Sequence, residues 1–132
     1  MGSVTAIDIV PVVVDDQEKA LEFYVDLVGL ELRQDEEYGD GTRWIEVAPA
    51  RSKTKLTLKT PSMFEKAEAV HRRALMGSSP QVTFLVDDCR QIYQRLQNAG
   101  VPFDDEPTQR AWGTSVTARD PAGNLVVFTE SD

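Results

Sequence analysis

An internal repeat constrains this chain more than any other feature. Residues 10–16 read VPVVVDD and residues 82–88 read VTFLVDD. Each is an apolar run of β-favouring residues that ends in paired aspartates, and each leads into a stretch with helical spacing. Setting Val14 on Val86 gives an offset of 72, and the match runs on through both helical stretches once one residue is gapped ahead of Gly29 and Gly100. Self-similarity of this kind fixes the architecture before any single element is considered.

Each copy reads as one strand, one helix and three further strands. In the first, residues 6–14 are β-branched and apolar. Asp15 or Asp16 can cap the following helix, and Asp15 with Glu18 has the spacing of a capping box. Ala20, Leu21, Tyr24, Leu27 and Val28 form an apolar helical face, and Gly29 is placed to end it in the left-handed conformation. Strands are expected near residues 30–34, 43–48 and 55–59, with a turn at YGDGT, residues 38–42. In the second copy a strand at 81–86 precedes a helix at about 88–99, whose face is Ile92, Tyr93 and Leu96 and whose stop is Gly100. Strands near 101–103, 114–118 and 125–129 complete it, and DPAGN at 120–124 is a turn. The expected organisation is one domain over 1–132, with modules at 5–60 and 81–130. A linker at 61–80 contains the helix-favouring MFEKAEAVHRRALM, which Gly77-Ser78-Ser79-Pro80 ends.

The bulk properties narrow the function classes. A chain of 132 residues with 41% hydrophobic and 27% charged residues is globular in composition. No apolar run approaches the roughly 20 residues that span a bilayer, and MGSVTAIDIV lacks the layout of a signal peptide, so a cytoplasmic protein is expected. The net charge of −8 argues against binding nucleic acid or an anionic membrane, either of which needs a basic surface. It suits a cationic ligand, or simply keeps the protein soluble.

A twice-used βαβββ unit, with EFY…GLEL after the first helix and WGTSVTARDPAGNLVVF at 112–128, resembles the vicinal oxygen chelate superfamily. This is the glyoxalase, bleomycin-resistance and ring-cleaving dioxygenase group, and the resemblance covers about residues 7–129. It implies an α+β fold in which two curved mixed sheets form a cup. It also implies a homodimer, with Pro11 resembling the proline at which bleomycin-resistance proteins exchange a strand. Metal-dependent members place one ligand on the first and one on the last strand of each module. Those positions carry over to Ile9, Thr57, Gln81 and Val127. None is His, Asp or Glu, and neutral oxygens alone hold divalent transition metals poorly. The chain has one His, His71, and one Cys, Cys89, so a single chain cannot make a two-His-one-carboxylate iron site or a structural zinc site. No metal and no cofactor are expected.

Alternation along the strands then assigns the faces. The cup side should carry Trp44, Glu46, Lys55, Thr57 and Lys59 from the first module and Gln81, Thr83, Ser115, Thr117 and Val127 from the second. Ile45, Val47, Leu56, Leu58, Val82, Phe84, Val86, Val126 and Phe128 should lie under the helices. The ligand-binding candidates are Trp44, Glu46, Thr57, Lys59, Gln81, Thr83, Ser115 and Trp112. Trp44 either stacks on a ligand or only walls the cup. Glu46 is either a general base or the partner of Lys55 or Lys59 on a neighbouring strand. Trp112 lines the rim or packs against it. His71 reads as a surface residue, and Cys89 as an ordinary small residue at a helix start. The function expected is metal-independent binding of a small molecule, cationic or aromatic, with sequestration of a toxic or antibiotic compound as its use. The alternative is a glyoxalase-like enzyme of lyase, isomerase or dioxygenase type, with Glu46 as its base and Thr57, Gln81 or a lysine as an oxyanion partner.

Overall fold

The computed structural model describes residues 2–78 and 81–131, so Met1, Ser79, Pro80 and Asp132, including the end of the expected linker stop, lie outside the described residues. The chain forms two compact units, Met1–Arg73 and Ala74–Asp132. Each contains a four-stranded mixed sheet, and the class is α+β. Among the described residues no helix is long and apolar enough to cross a membrane.

In the first unit, β1 (Ile9–Val13), α1 (Gln17–Leu21), a π-helical segment (Glu22–Leu27), β2 (Glu31–Glu37), β3 (Arg43–Ala48) and β4 (Lys55–Lys59) follow in order. The sheet order is β1-β4-β3-β2, with β1 parallel to β4 and the other pairs antiparallel. A short 3-10 turn at Pro61–Met63 and α2 (Lys66–Leu75) follow β4. The second unit repeats the plan with β5 (Val82–Leu85), α3 (Cys89–Asn98), β6 (Thr108–Arg110), β7 (Gly113–Arg119) and β8 (Leu125–Glu130), ordered β5-β8-β7-β6.

Of the residues expected under the helices, Ile45, Val47, Leu56 and Leu58 are buried in the first unit and Phe84, Val126 and Phe128 in the second, while Val82 and Val86 are half-buried. Burying each such side chain contributes roughly 1.5–3 kcal/mol. The first residue of each helix also ties it to the last strand of its own sheet. The Gln17 amide donates to the Leu58 carbonyl at 2.8 Å and the Arg43 carbonyl at 2.9 Å, and the Cys89 thiol donates to the Phe128 carbonyl at 3.6 Å. Both helices are capped alike. Asp16 accepts from the Lys19 N–H and Asp88 from the Gln91 N–H. Both end at a glycine with positive φ, Gly29 at +96° and Gly100 at +91°.

Several expectations need correction. The cap is Asp16, not an Asp15–Glu18 box, because Glu18 turns outward to pair with Arg43. The first strand is shorter than residues 6–14, and residues 2–8 are exposed. The apolar face Ala20, Leu21, Tyr24, Leu27, Val28 presumed a regular α-helix. The π-helical segment instead buries Phe23 and Tyr24 together, edge to face at 4.8 Å, and leaves Leu21, Leu27 and Val28 half-buried. The Val28 N–H donates to the Phe23 carbonyl, five residues back, so one extra residue is taken into the helix there. That residue is the gap in the alignment of the two copies. No strand forms at residues 101–103: only Phe103 makes a bridge, to Ala118, and the outer strand is Thr108–Arg110. Pro102 lacks an N–H, and the Asp105 carboxylate takes the Thr117 N–H at 2.8 Å in place of a ladder carbonyl.

Candidate functional site

The face of the first sheet away from α1 carries the densest polar chemistry. Register places Pro11 beside Thr57, Thr57 beside Glu46 and Glu46 beside Gln34, so these side chains form one row across the sheet. Trp44 and Lys59, two residues along their strands, fall in the next row. The Trp44 indole N–H donates to Glu46 Oε2 at 2.7 Å, and Glu46 Oε1 lies 3.8 Å from Lys55 Nζ. Lys55 in turn pairs with Asp8 at 2.9 Å, and that hydrogen bond holds its pKa above the ordinary lysine value. Glu46 is buried and committed to Trp44 and Lys55 rather than to Lys59. An anchored carboxylate suits orientation of the indole; as a general base it would first have to release both partners.

Lys59 has a different setting. Its ammonium sits 4.1 Å from the centroid of the Phe64 ring and 5.9 Å from that of Trp44. Arg72 of α2 approaches the same Phe64 ring at 4.8 Å and pairs with Glu68 at 2.7 Å. Phe64 is thus the seat for two cations, an arrangement that sequence spacing does not reveal. Thr57 is 1% exposed, and its hydroxyl has no hydrogen-bond partner among the described residues. Leaving a buried hydroxyl unpaired costs about 1–3 kcal/mol, so such a group calls for a water or a ligand atom.

The remaining candidates lie in the second unit. Thr83, Ser115, Thr117 and Val127 share one face of its sheet, with Ser115 buried and Thr83 exposed. Gln81 falls outside β5 and is exposed, which does not suit a residue expected on a floor. Trp112 stands at the tip of the β6–β7 hairpin and is 62% exposed. Gly113 beside it has φ +131°, and a Cβ there would meet the Glu130 carbonyl oxygen at 2.0 Å, so both the backbone angle and the space call for glycine. Arg110 lies 3.8 Å from Asp105. His71 is exposed, and Cys89 is buried, where desolvation, followed by the charge of Glu130, pushes its thiol pKa up. Neither has the setting of a reactive group.

The metal-binding positions of the fold do not fit a metal here. Ile9 and Val127 offer only hydrocarbon. Thr57 and Gln81 offer one neutral side-chain oxygen each, and no group of three or more His, Cys, Asp or Glu side chains suited to an ion occurs among the described residues.

The DPAGN turn is structural. The Asp120 carboxylate accepts from the N–H groups of Ala122 and Asn124 and from the Asn124 amide, and Asn124 Oδ1 accepts from the Gly77 N–H at 2.9 Å. This motif fastens the segment after α2 to its own unit.

Comparison with known proteins agrees with this architecture. The chain is 31% identical over 121 residues to YetH of Bacillus subtilis (strain 168), covering 92% of this chain and 94% of that protein. Among solved structures it is similar to UcmS2, with a TM-score of 0.83 and 29% identity over 96% of this chain and 98% of that one. It is also similar to TnmS3, an antibiotic binding protein from Streptomyces sp. CB03234, with a TM-score of 0.80 and 31% identity over the full length of both. Residues 6–128 match the family described as Glyoxalase/Bleomycin resistance protein/Dioxygenase superfamily, and the chain belongs to that superfamily.

Proposed function

We propose that this protein binds a small aromatic molecule without a metal, on the polar face of the first sheet, and that sequestration of a toxic or antibiotic compound is its use. The observation that carries the reading is the juxtaposition, on one face, of a buried hydroxyl with no partner (Thr57), an indole oriented by a carboxylate (Trp44 and Glu46) and a lysine held by aromatic rings (Lys59). These are recognition groups, and they lack the nucleophile–base pairing that a hydrolytic or isomerising site requires. The similarity to an antibiotic binding protein over the full chain supports the same reading. Taken by itself, the second unit offers a polar and aromatic set of its own, with Thr83 and Ser115 on one face of its sheet and Trp112 exposed at its hairpin tip.

The working form is proposed to be a cytoplasmic homodimer. The support is the exposed apolar segment ahead of β1, where Val4 is 96% exposed, together with Pro11, which weakens strand pairing at that edge. Sedimentation equilibrium that finds only monomer at micromolar concentration removes this part of the proposal.

A thermal-shift screen of aromatic antibiotics and metabolites tests the binding. Saturable stabilisation is expected for at least one aromatic class, and Thr57→Val and Trp44→Ala are expected to weaken it. Turnover of a hit that disappears in Glu46→Gln would replace binder with enzyme. Stoichiometric, tightly held zinc, iron, nickel or manganese in the purified protein would overturn the metal-free premise.

A further inference from the structure

We infer that the end of β4 is an anion-recognising corner, and that the aromatic ligand carries an acidic oxygen, as a carboxylate, enolate or phenolate does, rather than a positive charge. The inference rests on the binding function proposed above and specifies its ligand. It follows from what becomes of each cation on and beside the polar face of the first sheet. Lys55 is neutralised by Asp8 at 2.9 Å and by Glu46 at 3.8 Å. Arg72 is paired with Glu68 at 2.7 Å. Lys59 has no carboxylate within ion-pairing distance among the described residues; its ammonium lies over the Phe64 ring, with the Trp44 ring further off. A ring face attracts a cation through its quadrupole, but it accepts none of the directed hydrogen bonds that an ammonium can donate.

The acidic residues that share this face do not fill the gap. Glu46 is committed to the Trp44 indole and to Lys55. Glu36 lies opposite Trp44 on β2, two strands away from Lys59, or roughly 9.5 Å between backbones. Arg72 shares the Phe64 ring but is already matched by Glu68, so it neither cancels nor adds to the charge of Lys59. So although the whole chain carries −8, this corner has an unmatched positive charge. Two residues back along β4 is the unpartnered Thr57 hydroxyl, about 7 Å away along the strand. An aromatic ligand with its ring against Trp44 can set an acidic oxygen on Lys59 and a second polar atom on Thr57.

The test uses three probes of one shape: 2-naphthoate, 2-naphthamide and 2-naphthyltrimethylammonium, titrated into the full chain by calorimetry. The anion is expected to bind about tenfold or more tighter than the neutral and cationic probes, as a charge-assisted hydrogen bond would give. Lys59→Met is expected to remove the preference, and Lys59→Arg to keep most of it. Tightest binding of the ammonium probe overturns the inference while leaving the binding function intact. So does an equal loss of naphthoate and naphthamide affinity in Lys59→Met. If Lys59→Met does not fold, as judged by circular dichroism, Lys59→Gln is read instead. A reduced naphthoate preference supports the corner, and an unchanged one overturns it. Absence of saturable binding by all three probes counts against the binding function itself.

Discussion

The two sheets are the same scaffold with opposite chemistry on their polar faces. Lys55, Thr57 and Lys59 on β4, with Trp44 and Glu46 on β3, correspond by register to Leu125, Val127 and Thr129 on β8, with Ser115 and Thr117 on β7. One face is charged and aromatic; the other is made of hydroxyls and aliphatic groups. The first strands differ too: Val13 is 5% exposed, whereas its counterpart Leu85 is 76% exposed. What both copies retain is the aspartate cap, the terminal glycine, the apolar side under the helix and the bond from the helix start to the last strand. Duplication has held fixed what folding requires and left free the face that folding does not use.

The helices sharpen the contrast. Tyr24 and Leu96 are equivalent and both fully buried, but Phe23, buried by the π-helical segment, corresponds to the exposed Arg95. Phe23→Ala is therefore expected to cost about 3–5 kcal/mol in urea denaturation, and Arg95→Ala less than about 1 kcal/mol. A cost for Phe23→Ala no larger than for Arg95→Ala would mean that the extra residue contributes nothing to the core. Next in size is Gly113, whose counterpart in the first sheet is Thr42. Gly113→Ala is expected to lose at least about 2 kcal/mol, because the backbone is in a region that L side chains rarely adopt and the Glu130 carbonyl blocks a Cβ. A thermal melt of Gly113→Ala that matches the parent would break that assignment.

The caps should behave alike. Asp16→Ala and Asp88→Ala are each expected to cost about 1 kcal/mol, and a large inequality between them would show that the two helix starts are not equivalent. The smallest effect is in pH dependence, where the copies should diverge. The hydrogen bond from Arg119 holds the Asp104 pKa below its ordinary value of 3.8, so its contribution in the second unit is present above that value and is lost as pH falls below it. Asp8 holds the Lys55 pKa above 10.5, so its contribution in the first unit is present below that value and is lost as pH rises through the raised pKa. Asp104→Asn should flatten the acid limb of a stability–pH curve and Asp8→Asn the alkaline limb. A swap of these assignments would refute the pairing.

Much of this was legible in the sequence because alternation and caps are local. Ile45, Val47, Leu56 and Leu58 announce a buried side by period alone, and the paired Asp15-Asp16 and Asp87-Asp88 announce two helix starts. The family was legible from the repeat together with WGTSVTARDPAGNLVVF. The site was only partly so. Sequence spacing put Trp44, Glu46, Thr57 and Lys59 on one face, but it could not show that Glu46 is taken by Trp44, or that Lys59 rests on Phe64, five residues further along, where the chain has already turned away from the strand. The π-helical segment registered only as an alignment gap, since an added helical residue changes no residue type. Val101 and Phe103 have the β-propensity of a strand but form none, because one is a core residue after a helix stop and the other packs edge to face on Tyr93 at 4.8 Å.

The parallel pairing of β1 with β4 has a consequence for how the protein is made. Val10 finds its ladder neighbour Leu56 about 45 residues further along, and Val82 finds Val126 after a similar interval, so neither unit's first strand has a sheet partner until its last one has been synthesised. A nascent chain leaving the ribosome must carry an unpaired edge until then, and a stall before Lys55 or before Leu125 would leave that edge open to other chains.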